Sequence, residues 1–419
     1  MILYKNTFFG FNFGKSAIGL GIKCRERLWI IPIYSFQAPN IYAHSTALFD
    51  KKLYFIGGYE HTTNDSSSFF YLDLDQSFDI TSPAYVNLDA PPVEITWATA
   101  CVGGANNATI FVFGGISQYK GSTSEIKDRL IHTFDTTSKE WLTPQIEGEP
   151  MRRRSLQAVI DTKGNMYMFE GFYVFENNTE YYKDMIIFNT LTFTYSNGSN
   201  INIPSSMVGY TATLLPNGII IYIGGRDMNG EIILIKNITM YDINEDSWNS
   251  TITKSQNDIE DRSYHSAVLT SNGRIICYGG IAKLYAAVSP SLVVLNTTSL
   301  EWRSPGFFGS NEPPRLYLHS ANLFENYMII GFGIDSLQNT STNVYILDIR
   351  NYTWISYYEA PEQSPPLPPP SEQPKNPLSV GVIVGITIGA VIILGLLLLF
   401  GIRYYRNRSP DFLVSSSHT

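Results

Sequence analysis

Along most of the chain, apolar residues come in short runs that end in glycine and are bounded by polar, turn-forming residues. The clearest are Tyr54-Phe55-Ile56-Gly57-Gly58, Phe111-Val112-Phe113-Gly114-Gly115, Ile221-Tyr222-Ile223-Gly224-Gly225 and Ile276-Cys277-Tyr278-Gly279-Gly280. Two further copies, Tyr167-Met168-Phe169-Glu170-Gly171 and Ile329-Ile330-Gly331-Phe332-Gly333, depart from the double glycine. Short runs rich in aromatic and β-branched residues and closed by glycine predict strands. The last glycines, at 58, 115, 171, 225, 280 and 333, stand 53 to 57 residues apart. A spacing kept over six copies is a structural repeat.

Each copy continues into a strand ending in Asp or Asn, with an aromatic residue six positions later. The pairs are Asp135 and Trp141, Asn189 and Tyr195, Asp242 and Trp248, Asn296 and Trp302, Asp348 and Trp354. In the first copy Phe70-Tyr71-Leu72-Asp73 is followed by Phe78, one residue early. An Asp or Asn at a strand end bonds the backbone of the turn, and the aromatic is large enough to fill a gap against a neighbouring unit. Upstream of the glycines another strand begins at His44, Trp97, Leu156, Tyr210, His265 and His319, joined by hairpins at Asn217-Gly218 and Asn272-Gly273. The unit therefore has four strands. A lone four-stranded sheet leaves apolar faces wet, so the sheets must stack, and a closed ring removes both ends.

The run Arg262-Ser263-Tyr264-His265-Ser266-Ala267, followed by Gly279-Gly280, Asn296 and Trp302, resembles a kelch repeat, and the likeness extends over residues 44–354. The resemblance implies an all-β propeller of radial blades that binds a protein or glycan through the loops of one face. Six blades over 44–358 are expected, the alternative being seven with a degenerate N-terminal blade. Trp29-Ile30-Ile31-Pro32, within 28–43, reads as a closing strand, and residues 1–27 contain no placeable element. Gly57, Gly58, Gly114, Gly115, Gly171, Gly224, Gly225, Gly279, Gly280 and Gly333, with Trp141, Trp248, Trp302 and Trp354, are the structural positions of the repeat.

Beyond the repeats the pattern changes. Residues 359–377 form a proline-rich stalk, and Ser379–Ile402 carry no charge. Those 24 residues would span roughly 36 Å as a helix, against about 30 Å of bilayer hydrocarbon, so 378–402 are expected to cross a membrane. Arg403, Arg406 and Arg408 follow at once, which places the tail 403–419 in the cytosol and the propeller outside or in a lumen. Glycosylation sequons at Asn64, Asn107, Asn177, Asn197, Asn237, Asn249, Asn296, Asn339 and Asn351 agree with that orientation. Residues 1–27 make a poor signal peptide, which we read as an incorrect start; a cytosolic tail-anchored scaffold is the competing arrangement. Gly381, Gly385 and Gly389 offer a stripe on which two helices can pack as a homodimer.

Composition narrows the chemistry. A net charge of −8 excludes a basic surface, so nucleic acid is not an expected partner. Cys24, Cys101 and Cys277 are too few for a disulfide framework or zinc site, and the last two are expected buried and reduced. Kelch propellers include galactose oxidase, and that likeness implies copper held by two Tyr and two His with a Tyr–Cys cross-link. The six His form no paired-His element, so no cofactor and no enzymatic activity are expected, with the copper enzyme as runner-up. His44, His265 and His319 share a repeat position and are expected to pack there. Arg154, Arg262 and Arg315 open first strands and are expected to be structural, the alternative being a channel-facing arginine ring that holds an anionic ligand. For ligand contact the expected residues are Phe172, Tyr173, Phe175, Tyr181 and Tyr182, with the blade 2 loop around Tyr119 and Lys127 beside them.

Overall fold

A computed structural model describes residues 36–361, apart from 61, 62, 64, 123, 176 and 177, together with 380–406. Trp29–Pro32, Cys24, the proline stalk and the tail beyond Arg406 lie outside the described residues, as do Asn64 and Asn177. The chain forms two compact units, 1–360 and 361–419.

The described part of the first unit is six blades of four antiparallel strands, with a fifth strand, Lys254–Ser255, added in parallel beside Glu301–Arg303 at the outer edge of blade 5. Blade 1 runs Ser45–Phe49, Lys52–Ile56, Phe69–Asp73 and Tyr85–Asn87. The first strands of blades 2 to 6 are Thr99–Gly103, Val159–Ile160, Thr211–Leu214, Ser266–Leu269 and Ser320–Phe324. These inner strands neighbour one another in order, and that of blade 1 also adjoins that of blade 6. The ring closes at six, leaving no place for a seventh blade. Closure also uses Tyr357–Tyr358, just after blade 6, which pairs with Phe78–Asp79 of blade 1.

At the channel a ring of backbone hydrogen bonds joins all six blades. Ala43 N–H donates to Leu318 O, Leu318 to Tyr264, Tyr264 to Gly209, Gly209 to Ser155, Ser155 to Trp97 and Trp97 to Ala43, over 2.7 to 3.4 Å. All six residues have positive φ, between 53° and 65°. For five non-glycine residues that conformation costs about 1–2 kcal/mol each, offset by the bonds it aims around the ring.

The glycines form the joint between blades. The N–H of Gly58, Gly115, Gly225, Gly280 and Gly333 donates across the seam to Ile95, Arg153, Arg262, Leu316 and Ile41. In blades 1, 2, 4 and 5 the glycine before it lies against the same neighbour: a Cβ on Gly57 would sit 2.0 Å from Ile95 O and one on Gly279 2.2 Å from Leu316 O, while in blade 6 that place belongs to Phe332. In blade 3 that place belongs to Glu170, at φ 55°. Here the joint is inverted, the Glu170 carboxyl accepting from the Met207 N–H of blade 4.

In blades 2, 4, 5 and 6 the tryptophan after the third strand wedges against the preceding blade. Trp141 meets Phe69 of blade 1 at 4.9 Å, Trp248 meets Phe169 of blade 3 at 4.4 Å, and Trp354 meets Tyr278 of blade 5 at 5.4 Å. Trp302 is fully buried in a cluster with Ile221 and Ile223 of blade 4. In blade 1 the wedge is Tyr85 and not Phe78: Tyr85 pairs with Leu72 as Trp141 pairs with Phe134, and it stacks on Phe332 of blade 6. The longer loop before Tyr85 carries Phe78 to the closing strand. The Asp or Asn expectation holds in all six blades, with Asp73, Asp135, Asn189, Asp242, Asn296 and Asp348 each accepting a turn N–H.

In the second unit Val380–Arg406 form one α-helix. Its described side chains begin at Val391, and among the described residues no helix is long and apolar enough to cross a membrane. Gly381, Gly385 and Gly389 fall on the helix, ahead of the described side chains.

Candidate functional site

The ends of the blades where the second strands reach their glycines form one face, and the loops to the third strands emerge there. On this glycine face each blade adds a short ribbon that pairs the residues before its first strand with those after its glycines. Examples are Glu94–Thr96 with Ile116–Gln118, Met207–Val208 with Arg226–Asp227, and Leu316–Tyr317 with Ile334–Asp335. The ribbons hold the loops upright around the channel.

The channel encloses a cavity of about 190 Å³ lined by all six blades. Trp97 and Tyr264, from the opposite blades 2 and 5, meet edge to face across its mouth at 6.0 Å. The ring of Tyr264 lies over Gly209, where a Cβ would stand 2.7 Å from it. Glycine at 209 therefore permits the plug.

Below the plug runs a polar belt. His44 is bonded to Ser320, His319 to Ser266 and His265 to Thr211, each a contact of 2.7 to 3.0 Å between neighbouring blades. Burial holds all three imidazoles neutral, with His44 and His319 lowered to about 3 and His265 well below its ordinary value. The residue equivalent to these histidines in blade 2 is Ala98 and not Trp97, since Gly115 packs on Ala98 as Gly58 packs on His44. With no imidazole there, the buried Ser45 hydroxyl is left without a partner. Among the described residues no three His, Cys, Asp or Glu side chains converge as metal ligands, and Cys101 and Cys277 are buried free thiols raised to about 12 by burial.

Arg154, Arg262 and Arg315 form no ring, because they fall at different registers, and of the three Arg262 is structural. The equivalent of Arg262 is Arg153. Both are buried struts, Arg262 bonding the carbonyls of Gly279, Pro290 and Ser291, and Arg153 that of Glu170 with an ion pair to Asp184. Arg152 likewise spans to Gly114, Gly115 and Ser117 of blade 2. Arg154 alone of this run points elsewhere. Its half-buried guanidinium lies 4.9 Å over the Phe172 ring, its Nε has no hydrogen-bond partner, and burial lowers its pKa. Glu125 is its nearest acidic neighbour, itself drawn to Arg152 and bonded by Tyr173. Arg315 is exposed.

The five blade 3 aromatics divide. Tyr173 and Tyr182 are buried, Tyr182 under Arg153 at 4.2 Å. Phe172 and Tyr181 stack at 5.5 Å across a ribbon beside Arg154, and Phe175 stands exposed with Lys127 over its ring. Around them the glycine-face loops of blades 2, 4, 5 and 6 raise Tyr119, Met228, Leu284, Tyr285 and Leu337 into solvent, Leu284 at 90% and Leu337 at 79%. Met228 and Leu337 stand out in the sequence as large apolar residues inside otherwise polar loops, whereas Leu284 and Tyr285 lie in a mostly apolar loop and give no such signal. Arg226, bonded to Ser263 and Ala282, carries Tyr285 at 5.3 Å. An incompletely satisfied cation walled by aromatic rings, inside a crown of apolar tips, can hold an anionic group and bury apolar side chains beside it.

Comparison with known proteins agrees with this architecture. The chain is 29% identical to Kelch domain-containing protein 3 of Bos taurus over 171 residues, 37% of this chain and 41% of that protein. The human counterpart is also 29% identical, over 184 residues, 40% of this chain and 43% of its own length. The chain thus matches about two fifths of the length of these relatives. The solved structure of YjhT superposes with a TM-score of 0.60 at 13% identity, covering 76% of this chain and 98% of that one, a likeness of fold. The model of the KLHDC2/KLHL20/DRC7 Kelch-repeats domain matches residues 43–280 and 234–375, and this chain belongs to that kelch-repeat family.

Proposed function

We infer that this protein is a membrane-anchored kelch propeller that binds a protein segment on its glycine face. The carrying observation is Arg154, a half-buried guanidinium with an unpartnered Nε set between Phe172, Tyr181 and the Trp97–Tyr264 plug, inside a crown of apolar loop tips. The segment that fits carries an acidic group beside apolar side chains. Anchoring rests on the helix Val380–Arg406, whose 27 residues would span about 40 Å and whose sequence has no charge before Arg403. Its side chains from Val391 to Ile402 are exposed, and a helix apolar on every side is covered either by a protein core or by lipid. The arginines after it orient the propeller to the lumen or exterior.

Proximity labelling from the full chain tests the reading, comparing wild type with Arg154→Glu and with Lys163→Glu on the opposite face. Loss of the same neighbours in Arg154→Glu alone, with the chain retained in the carbonate-washed membrane pellet, is the expected result. Unchanged neighbours, or release of the chain by carbonate, would count against binding at this face or against the anchor.

A further inference from the structure

We propose that the propeller is N-glycosylated on its rim and on the face opposite the glycines, leaving the channel mouth bare. The proposal rests on the reading that the propeller faces a lumen. The reaction joins an asparagine Nδ2 to the anomeric carbon of an oligosaccharide carried on a lipid pyrophosphate. The sugar–oxygen bond breaks with its electrons leaving on the pyrophosphate, and one amide proton passes to a base of the transferring enzyme.

A folded domain tolerates that bond only where the asparagine is exposed and its Nδ2 is not part of the structure. All seven described sequon asparagines are exposed. Asn107 lies in the turn between the first two strands of blade 2, and Asn351 in the turn between the last two of blade 6; both are on the opposite face. Asn296 ends the third strand of blade 5 on that face, where its Oδ1 caps the turn by accepting from Thr298 and Ser299. Its Nδ2 donates to no described residue, so a sugar there leaves the cap intact. Asn197 and Asn249 lie on the outermost strands of blades 3 and 4, and Asn237 opens the third strand of blade 4 at the glycine-face edge, paired with Ile252 of the outermost strand. None of these six uses Nδ2 as a donor to a described residue.

Asn339 differs. It sits in the blade 6 loop beside the channel mouth, where its Nδ2 donates to Asp335 Oδ2 at 3.0 Å. Asp335 also receives the backbone N–H groups of Leu337 and Asn339, and the adjoining Gln338 bonds the Tyr317 hydroxyl. A sugar on that nitrogen would press against the carboxylate that organises the loop. Asn249 adds a consequence for solubility. It stands within Ser247–Ile252, a six-residue outer strand, and a glycan there blocks edge-to-edge pairing.

The experiment expresses the full chain in a eukaryotic cell and divides the microsomes. One half is treated with protease to report which side the propeller occupies. The other is treated with a glycosidase that converts each glycosylated Asn to Asp, read by peptide mass spectrometry. A protected propeller with conversion at most of the six sites and none at Asn339 is expected. A protected propeller with most of the six unconverted, or with Asn339 converted, overturns this proposal while the orientation stands. Digestion of the propeller in intact microsomes overturns both.

Discussion

Buried ionisable residues set how this fold should respond to pH. Glu170 is fully buried, and burial raises its carboxyl to about 9, so the folded chain keeps a proton that the unfolded chain releases near 4.5. That term is fully favourable below the unfolded value and is lost as pH rises towards the folded one, at about 1.4 kcal/mol per pH unit. His44 and His319 act with the opposite sign: their neutral folded forms favour the native state above 6.5, and this is lost as pH falls towards about 3. Stability of the full chain in detergent should therefore pass through a maximum near the ordinary histidine pKa. Glu170→Gln keeps an acceptor for Met207 and should flatten the alkaline limb, gaining most at pH 8 to 9. His319→Gln should reduce the acid slope by one proton. Parallel pH profiles for wild type and Glu170→Gln in denaturant unfolding would show that this carboxyl is not held protonated. None of this was legible from residues alone: Glu170 reads as a degenerate glycine until its neighbour Met207 is seen.

Among the elements, strands, hairpins and turn caps were legible because each is local. What spans two blades was not. Trp97 reads as the start of the blade 2 strand because it is a large ring near the place where other copies carry His or Tyr, yet the seam aligns Ala98 there. Tyr85 escapes the fixed offset of the other wedges because the loop before it is extended to reach Tyr357–Tyr358, and Phe78, one residue short of that offset, joins the closing strand instead. Among the arginines too, a shift of one residue separates a buried strut, Arg153, from a side chain at the channel mouth, Arg154. The seam also gives a stability test. Gly279→Ala would place a Cβ 2.2 Å from the Leu316 carbonyl at a φ of 64°, whereas Gly121→Ala, at a φ of 76°, has open space around it. The loop substitution should cost about 1–2 kcal/mol for backbone conformation alone, and the seam substitution distinctly more. Equal shifts in denaturation midpoint would mean that the glycine pair is required for its φ and not for the approach of the next blade.

For the whole molecule, the closed ring explains why one face is available for binding. Six backbone bonds and the Trp97–Tyr264 pair close the channel at the glycine face, so a partner meets a floor with upright loops around it. The opposite face consists of hairpins and capped turns, whose polar groups are already used by their own backbone. The most direct test of binding at the glycine face places a photo-crosslinking amino acid at Tyr181 or Tyr285, and at Lys163 or Ser138 on the opposite face, in the full chain in intact cells. Adducts of defined mass from Tyr181 and Tyr285, lost when Arg154→Glu is added, are the expected result. Adducts that form equally from Lys163 and Ser138, or that persist with Arg154→Glu, would contradict the account.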